Sequence, residues 1–110
     1  AGVGPLNPHP ALQRAAQEYA ELMARRGHFS HTGPDGSSPS ERARRAGYES
    51  GFSGENIALG QRTAAEVVES WMRSDGHREN LLRREFKDIG VGVAWSRRGR
   101  YWVQLFGAPR

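Results

Sequence analysis

Residues 88–95 read DIGVGVAW. In an extended chain Ile89, Val91, Val93 and Trp95 fall on one face, and Gly90, Gly92 and Ala94 on the other. That is the period of a strand. The face of tiny side chains predicts that a helix or a ligand approaches the sheet closely there. Ser96-Arg97-Arg98-Gly99 reads as a turn, and Tyr101 to Phe106 as the second strand of the same hairpin.

Upstream of the hairpin the period is helical. Leu12, Ala15, Ala16, Tyr19, Ala20 and Met23 form one apolar stripe, with Asn7-Pro8 as the expected cap and first helical position, and Gly27 as the stop. His9 is expected in the first turn, exposed. Residues 28–37, HFSHTGPDGS, are a loop by their glycines, proline and aspartate. Ser38-Pro39-Ser40-Glu41 has capping-box spacing and opens a short helix to about Ala46, closed by Gly47, with Arg42, Arg44 and Arg45 on its exposed side. Residues 48–54 read as irregular, and Asn56–Leu59 as a short strand. A third helix starts at Thr63, with Glu66 at the reciprocal capping position. Ala64, Val67, Val68, Trp71 and Met72 form its apolar face. Asp75-Gly76 breaks it, and His77 to Arg83 reads as further helical turns. Helices followed by an antiparallel hairpin make an α+β domain in which helices cover a small sheet.

The 110 residues suit one domain, 36% hydrophobic, 25% charged and with a net charge of +4. Cysteine is absent. That excludes disulfides, thiolate nucleophiles and cysteine-held metal sites, and leaves the compartment open. No apolar run approaches the ~20 residues of a membrane-spanning helix. Of the 16 basic residues all but Lys87 are arginine. The arginine clusters are interleaved with Glu41, Glu79 and Glu85, which suits a solvated face better than a nucleic-acid groove. The chain opens on Ala1 with neither Met nor a signal-peptide pattern, as a processed or trimmed chain does.

No HExxH, GxSxG, phosphate-binding loop or EF-hand string is present. What stands out is His31, Glu55 and His77, each beside a glycine-containing turn or at an element's edge. His77 opens a helix, where the dipole disfavours imidazolium and keeps the ring able to coordinate metal or accept a proton. Two histidines and a glutamate suit a divalent-metal site with an open position, or a hydrogen-bonded polar cluster. Spacing does not decide whether they converge.

The strings HTGPDGSSPSERARRAGY (31–48), GENIALG (54–60), WMRSDGHRENLL (71–82) and FKDIGVGVAW (86–95), in this order, resemble the CAP superfamily. That family holds the cysteine-rich secretory proteins, venom allergens and plant pathogenesis-related proteins. The likeness runs from PLNPHPAL to VQLFG and is nearest to short bacterial secreted members. It implies an α-β-α sandwich with a small three-stranded antiparallel sheet between helical layers. It implies a secreted protein whose central cleft holds two histidines and two acids. On this chain those positions are His31, His77 and Glu55. Where eukaryotic members carry a second acid, three residues after the helix tryptophan, this chain has Ser74. Asn56, Ser74 and Asp75 are then further polar residues of the cleft. A hydroxyl in place of an acid implies weaker hold on a divalent cation such as Zn²⁺. The chain also begins where the family's first helix would end, so one CAP domain lacking that helix is expected.

The resemblance implies a binding module for a divalent metal and for small apolar or lipid ligands, or for an extracellular partner. The alternative is a metal-dependent hydrolase, a peptidase or nuclease, with Glu55 as general base between His31 and His77. With no second acid and no evident oxyanion hole, the binding reading is preferred to the enzyme.

Overall fold

The structure, a computed structural model, describes residues 6–49, 52–73 and 85–108. Two X-Pro steps govern where the first helix begins. A residue before proline is pushed out of the helical region, which applies to both Asn7 and His9. His9 is extended, with φ −122° and ψ 126°, and its Nδ1 accepts from the Ala11 N–H at 3.1 Å. Helix α1 therefore spans Pro10–Arg26, with His9 as its cap and Pro10 in the first turn. Asn7 and Pro8, expected at the helix start, form strand β1 (Asn7–Pro8) instead. His9 is half-buried, edge-on to the Tyr48 ring.

The remaining described elements are α2 (Pro39–Arg45), β2 (Phe52–Leu59), α3 (Ala64–Arg73), β3 (Asp88–Ser96) and β4 (Gly99–Ala108). The sheet order is β1-β3-β4-β2. β2, β4 and β3 are the three antiparallel strands expected. The sheet has four strands rather than three, because β1 adds a two-residue parallel pairing on β3. β2 is also longer than Asn56–Leu59. It pairs with β4 from Phe52↔Ala108 to Leu59↔Tyr101, so the long apolar run of β4 templates a Gly- and Ser-rich stretch with no strand pattern of its own.

The small-residue face of β3 receives α1. A Cβ at Gly90 would stand 2.2 Å from the Leu12 carbonyl carbon, and one at Gly92 would stand 2.5 Å from that of Ala16. The helix backbone thus lies directly on the strand, along a stripe of Leu12, Ala16 and Ala20. Its flank then closes the free edge of β3. Gln13 Nε2 donates to the Val91 carbonyl (2.6 Å) and its Oε1 accepts from the Val91 N–H (2.9 Å). Gln17 does the same for Val93, at 2.9 and 3.0 Å. Two amide side chains replace a neighbouring strand, which covers an otherwise reactive edge.

On this face α1 and α2 cover Ile57, Tyr101, Val103 and Leu105. On the other, Val67 and Trp71 of α3 pack on Ala58, Trp102 and Val93. The result is the α-β-α layering expected. The α3 face is narrower than its pattern: Val68 and Met72 are exposed. The α2 capping box forms in both directions, Ser38 Oγ with the Glu41 N–H and Glu41 Oε1 with the Ser38 N–H, each 3.1 Å. At α3, Thr63 Oγ1 accepts from the Glu66 N–H, but the Glu66 carboxylate reaches the Arg62 N–H rather than that of Thr63. The Asp75-Gly76 break and the helical turns of 77–83 lie outside the described residues. No helix among the described residues is long and apolar enough to cross a membrane.

Candidate functional site

Strand alternation decides which face each polar residue of GEN reaches. Glu55 pairs with Leu105 and faces α1 and α2; Asn56 pairs with Gln104 and faces the other way. The Glu55 side chain is only 1% accessible. Burying a carboxylate in this way is costly unless its oxygens are satisfied. Oε1 lies 2.9 Å from His31 Nδ1, and Oε2 accepts from Arg42 Nη2 at 2.8 Å.

Arg42 is the hub. The same Nη2 also donates to the His31 carbonyl at 2.9 Å, and Nη1 donates to the Ser37 carbonyl at 2.8 Å. Its guanidinium lies 3.6 Å above the centre of the Tyr19 ring. The Tyr19 hydroxyl donates to the Ser30 carbonyl. Burial raises the Tyr19 phenol above its ordinary range, with the Arg42 charge acting against that shift. One arginine thus joins α1, the 30–37 loop, α2 and β2. The sequence placed Arg42 with Arg44 and Arg45 on an exposed side; its side chain is 11% accessible. Only the path of the loop turns it inward.

His31 is half-exposed, with its ring anchored at one nitrogen. A carboxylate accepts, so Nδ1 carries the proton; in the neutral ring Nε2 then keeps its lone pair, and it has no hydrogen-bond partner among the described residues. A carboxylate behind an imidazole is how proteins fix the ring of a metal ligand. His28 is different: its Nε2 donates to the Thr32 carbonyl at 2.7 Å.

The structure therefore brings His31 and Glu55 together and adds Arg42, Ser37 and Tyr19, which no motif pointed to. Asn56 is fully buried on the opposite face and donates to Gln104 Oε1 at 3.2 Å. His77, Ser74 and Asp75 lie outside the described residues. Among the described residues no three His, Asp or Glu side chains gather as a metal cluster. His31 fits a ligand position. Glu55 fits the place behind it, since both its oxygens are engaged.

Beside this cluster, at the edge strand β2, an open concavity of about 470 Å³ is lined by Phe29, Ile57, Ala58, Leu59 and Trp71, with Gln61 and Ser70. Trp71 Nε1 donates to the Ile57 carbonyl at 3.1 Å and closes its base. Gln61 Oε1 is buried and has no hydrogen-bond partner among the described residues.

The profile of the family described as CAP, the cysteine-rich secretory protein family, matches residues 1–106. Uncharacterized protein YkwD of Bacillus subtilis (strain 168) is 39% identical over 105 residues, which are 96% of this chain. The chain spans 40% of the length of YkwD. An extracellular protein containing a SCP domain from Bacillus anthracis str. Ames superposes with a TM-score of 0.87 at 28% identity, over 96% of this chain and 34% of that one. An outer surface protein from Borrelia burgdorferi superposes with a TM-score of 0.89 at 25% identity, over 98% of this chain and 80% of that one.

Proposed function

The chain belongs to the cysteine-rich secretory protein (CAP) family, and on that premise we propose that it acts outside the cell as a binding module, holding a divalent cation and a small apolar ligand in one cleft. The observation that carries this reading is the Glu55–His31 pair: a buried carboxylate fixes a half-exposed imidazole whose other nitrogen has no hydrogen-bond partner among the described residues. His31 is one ligand of the cation, of which Zn²⁺ is the best chemical match. By the family resemblance His77 is the second. Glu55 orients His31 rather than binding the metal. The bound cation supplies positive charge at the cleft mouth. The apolar concavity beside it accepts a hydrocarbon body, and Gln61 Oε1, buried without a partner among the described residues, accepts a hydroxyl or amide donor from it. Placement outside the cell is supported by structural neighbours described as extracellular and outer surface proteins. The hydrolase reading is weaker, because both oxygens of Glu55 are engaged and its role as general base would break the arginine hub.

Titration calorimetry with Zn²⁺ tests the metal half. Wild type should release heat, and His31→Ala and His77→Ala should abolish it. Glu55→Gln should weaken affinity by about 10–100-fold, as loss of an orienting partner does. Equal heats from wild type and His31→Ala would remove the metal from the proposal. An anilinonaphthalene sulfonate reporter that binds wild type and Phe29→Ala equally would remove the apolar-ligand half.

A further inference from the structure

We propose that the tip of the β3–β4 hairpin is a docking surface for a bilayer rich in anionic phospholipid. The observation is a juxtaposition that the sequence disperses. Trp95 is 73% exposed and stands between two open concavities of about 500 and 490 Å³. Arg25, Arg97 and Arg98 line the first; Arg62, Arg97, Arg98 and Arg100 line the second. The Arg100 guanidinium lies 5.3 Å from the indole centre.

These charges have no ion-pair partner among the described residues. Arg45 and Arg73, on α2 and α3, each pair with a carboxylate, but none of the five tip arginines does among the described residues. Glu21 shares the Arg25 flank and is held by Gln17. Arg25 sits in the last turn of α1 and Arg98 lies over its Gly27 cap, so the helix dipole favours cations there without neutralising them.

The tip is also held in place. Ser96 Oγ donates to the Gly99 carbonyl and accepts from the Arg98 N–H, and the Gly60 N–H donates to the Arg100 carbonyl at 2.9 Å. A rigid turn thus presents one large amphipathic ring ringed by cations. An indole prefers the headgroup boundary of a bilayer, with its body in hydrocarbon and its N–H in water. Guanidinium groups at the same level bind phosphates. A single-stranded nucleic acid needs successive rings on which bases stack. This surface offers one ring, already beside a guanidinium.

Sedimentation with sucrose-loaded vesicles tests the proposal on the 110-residue chain. Wild type should partition onto equimolar phosphatidylcholine–phosphatidylglycerol vesicles and not onto phosphatidylcholine alone, and added salt should release it. The double variant Arg97→Gln/Arg98→Gln should lose about 25-fold in partitioning, roughly five-fold per arginine. Trp95→Ala should lose about ten-fold and keep the salt dependence. Circular dichroism should be unchanged in both, since these side chains are exposed. His31→Ala should bind the vesicles as wild type does, which separates this surface from the cleft. Equal partitioning onto both vesicle types, wild-type binding by Arg97→Gln/Arg98→Gln, or preferential retention on a single-stranded oligonucleotide would each overturn it.

Discussion

Replacing Gly92 with alanine tests the feature on which the fold turns. A Cβ there would stand 2.5 Å from the Ala16 carbonyl carbon and from Gln17 Cα, both backbone atoms. Carbon–carbon contact is favourable at about 3.5–4.0 Å, so α1 must retreat by about 1 Å. The same retreat stretches the two Gln17 bonds to Val93, now 2.9 and 3.0 Å, beyond hydrogen-bonding range. Overpacking costs about 1–3 kcal/mol. Two lost hydrogen bonds add about 1 kcal/mol each. Against this, alanine in a strand is favoured over glycine by about 0.5–1 kcal/mol. The net expectation is a loss of about 2–4 kcal/mol, out of a total of about 5–15 kcal/mol for a domain of this size. Urea unfolding followed by circular dichroism gives the midpoint, and the melting temperature should fall by at least about 10 °C. A double-mutant cycle sharpens the test. Gln17→Leu alone should cost about 1–2 kcal/mol, and close to nothing on top of Gly92→Ala, because the helix has already left the strand edge. A Gly92→Ala protein as stable as wild type, or more so, would mean that strand propensity is the only term acting, and the close approach of α1 would be refuted.

Two other expectations concern the arginine hub and its loop. Arg42→Met leaves the Glu55 carboxylate, 1% accessible, without its cation, and should cost about 3–5 kcal/mol by urea unfolding; adding Glu55→Gln should restore part of that loss. Asp35 is held well below the ordinary carboxylate value of 3.8 by hydrogen bonding from Ser37 and by the Arg45 guanidinium. Its folded pKa is depressed, so its stabilisation is present above that ordinary value and is lost as pH falls below it. Asp35→Asn should therefore flatten the fall in melting temperature between about pH 4 and pH 2. An unchanged acid limb would show that Asp35 contributes nothing to stability.

Period and caps were legible because their causes are local. The alternation of 88–95, the capping box at Ser38 and the stops at Gly27 and Gly47 depend on neighbours a few residues away. Where the reading missed, a nearby rule competed or a distant partner intervened. Asn7 resembles a helix cap, but His9, which would be the second helical residue, precedes Pro10 and is driven extended, so the helix starts two residues later and β3 supplies a strand for Asn7 and Pro8 to join. Val68 and Met72 continue the apolar pattern of α3, yet only Val67 and Trp71 of that helix pack on Ala58, Trp102 and Val93 of the sheet. The family strings pointed to His31 and Glu55 without saying how they meet. Arg42 had no signal, since nothing in SERARR separates it from Arg44 and Arg45.

By itself, then, the sequence determined the three described helices and the β3–β4 hairpin, though not β1 or the first half of β2. It also determined that the small-residue face at Gly90 and Gly92 is closely approached, and which family's motifs the chain carries. Tertiary structure decided the partners. It placed α1 on β3, a pairing some 75 positions apart in sequence by the Gln13–Val91 and Gln17–Val93 bonds. It turned Arg42 inward onto Glu55, and gathered arginines of α1, the loop before α3 and the hairpin around Trp95. The reason is physical: backbone preference and capping act within a turn or two, whereas burial, charge pairing and edge closure depend on which distant surfaces the folded chain brings together.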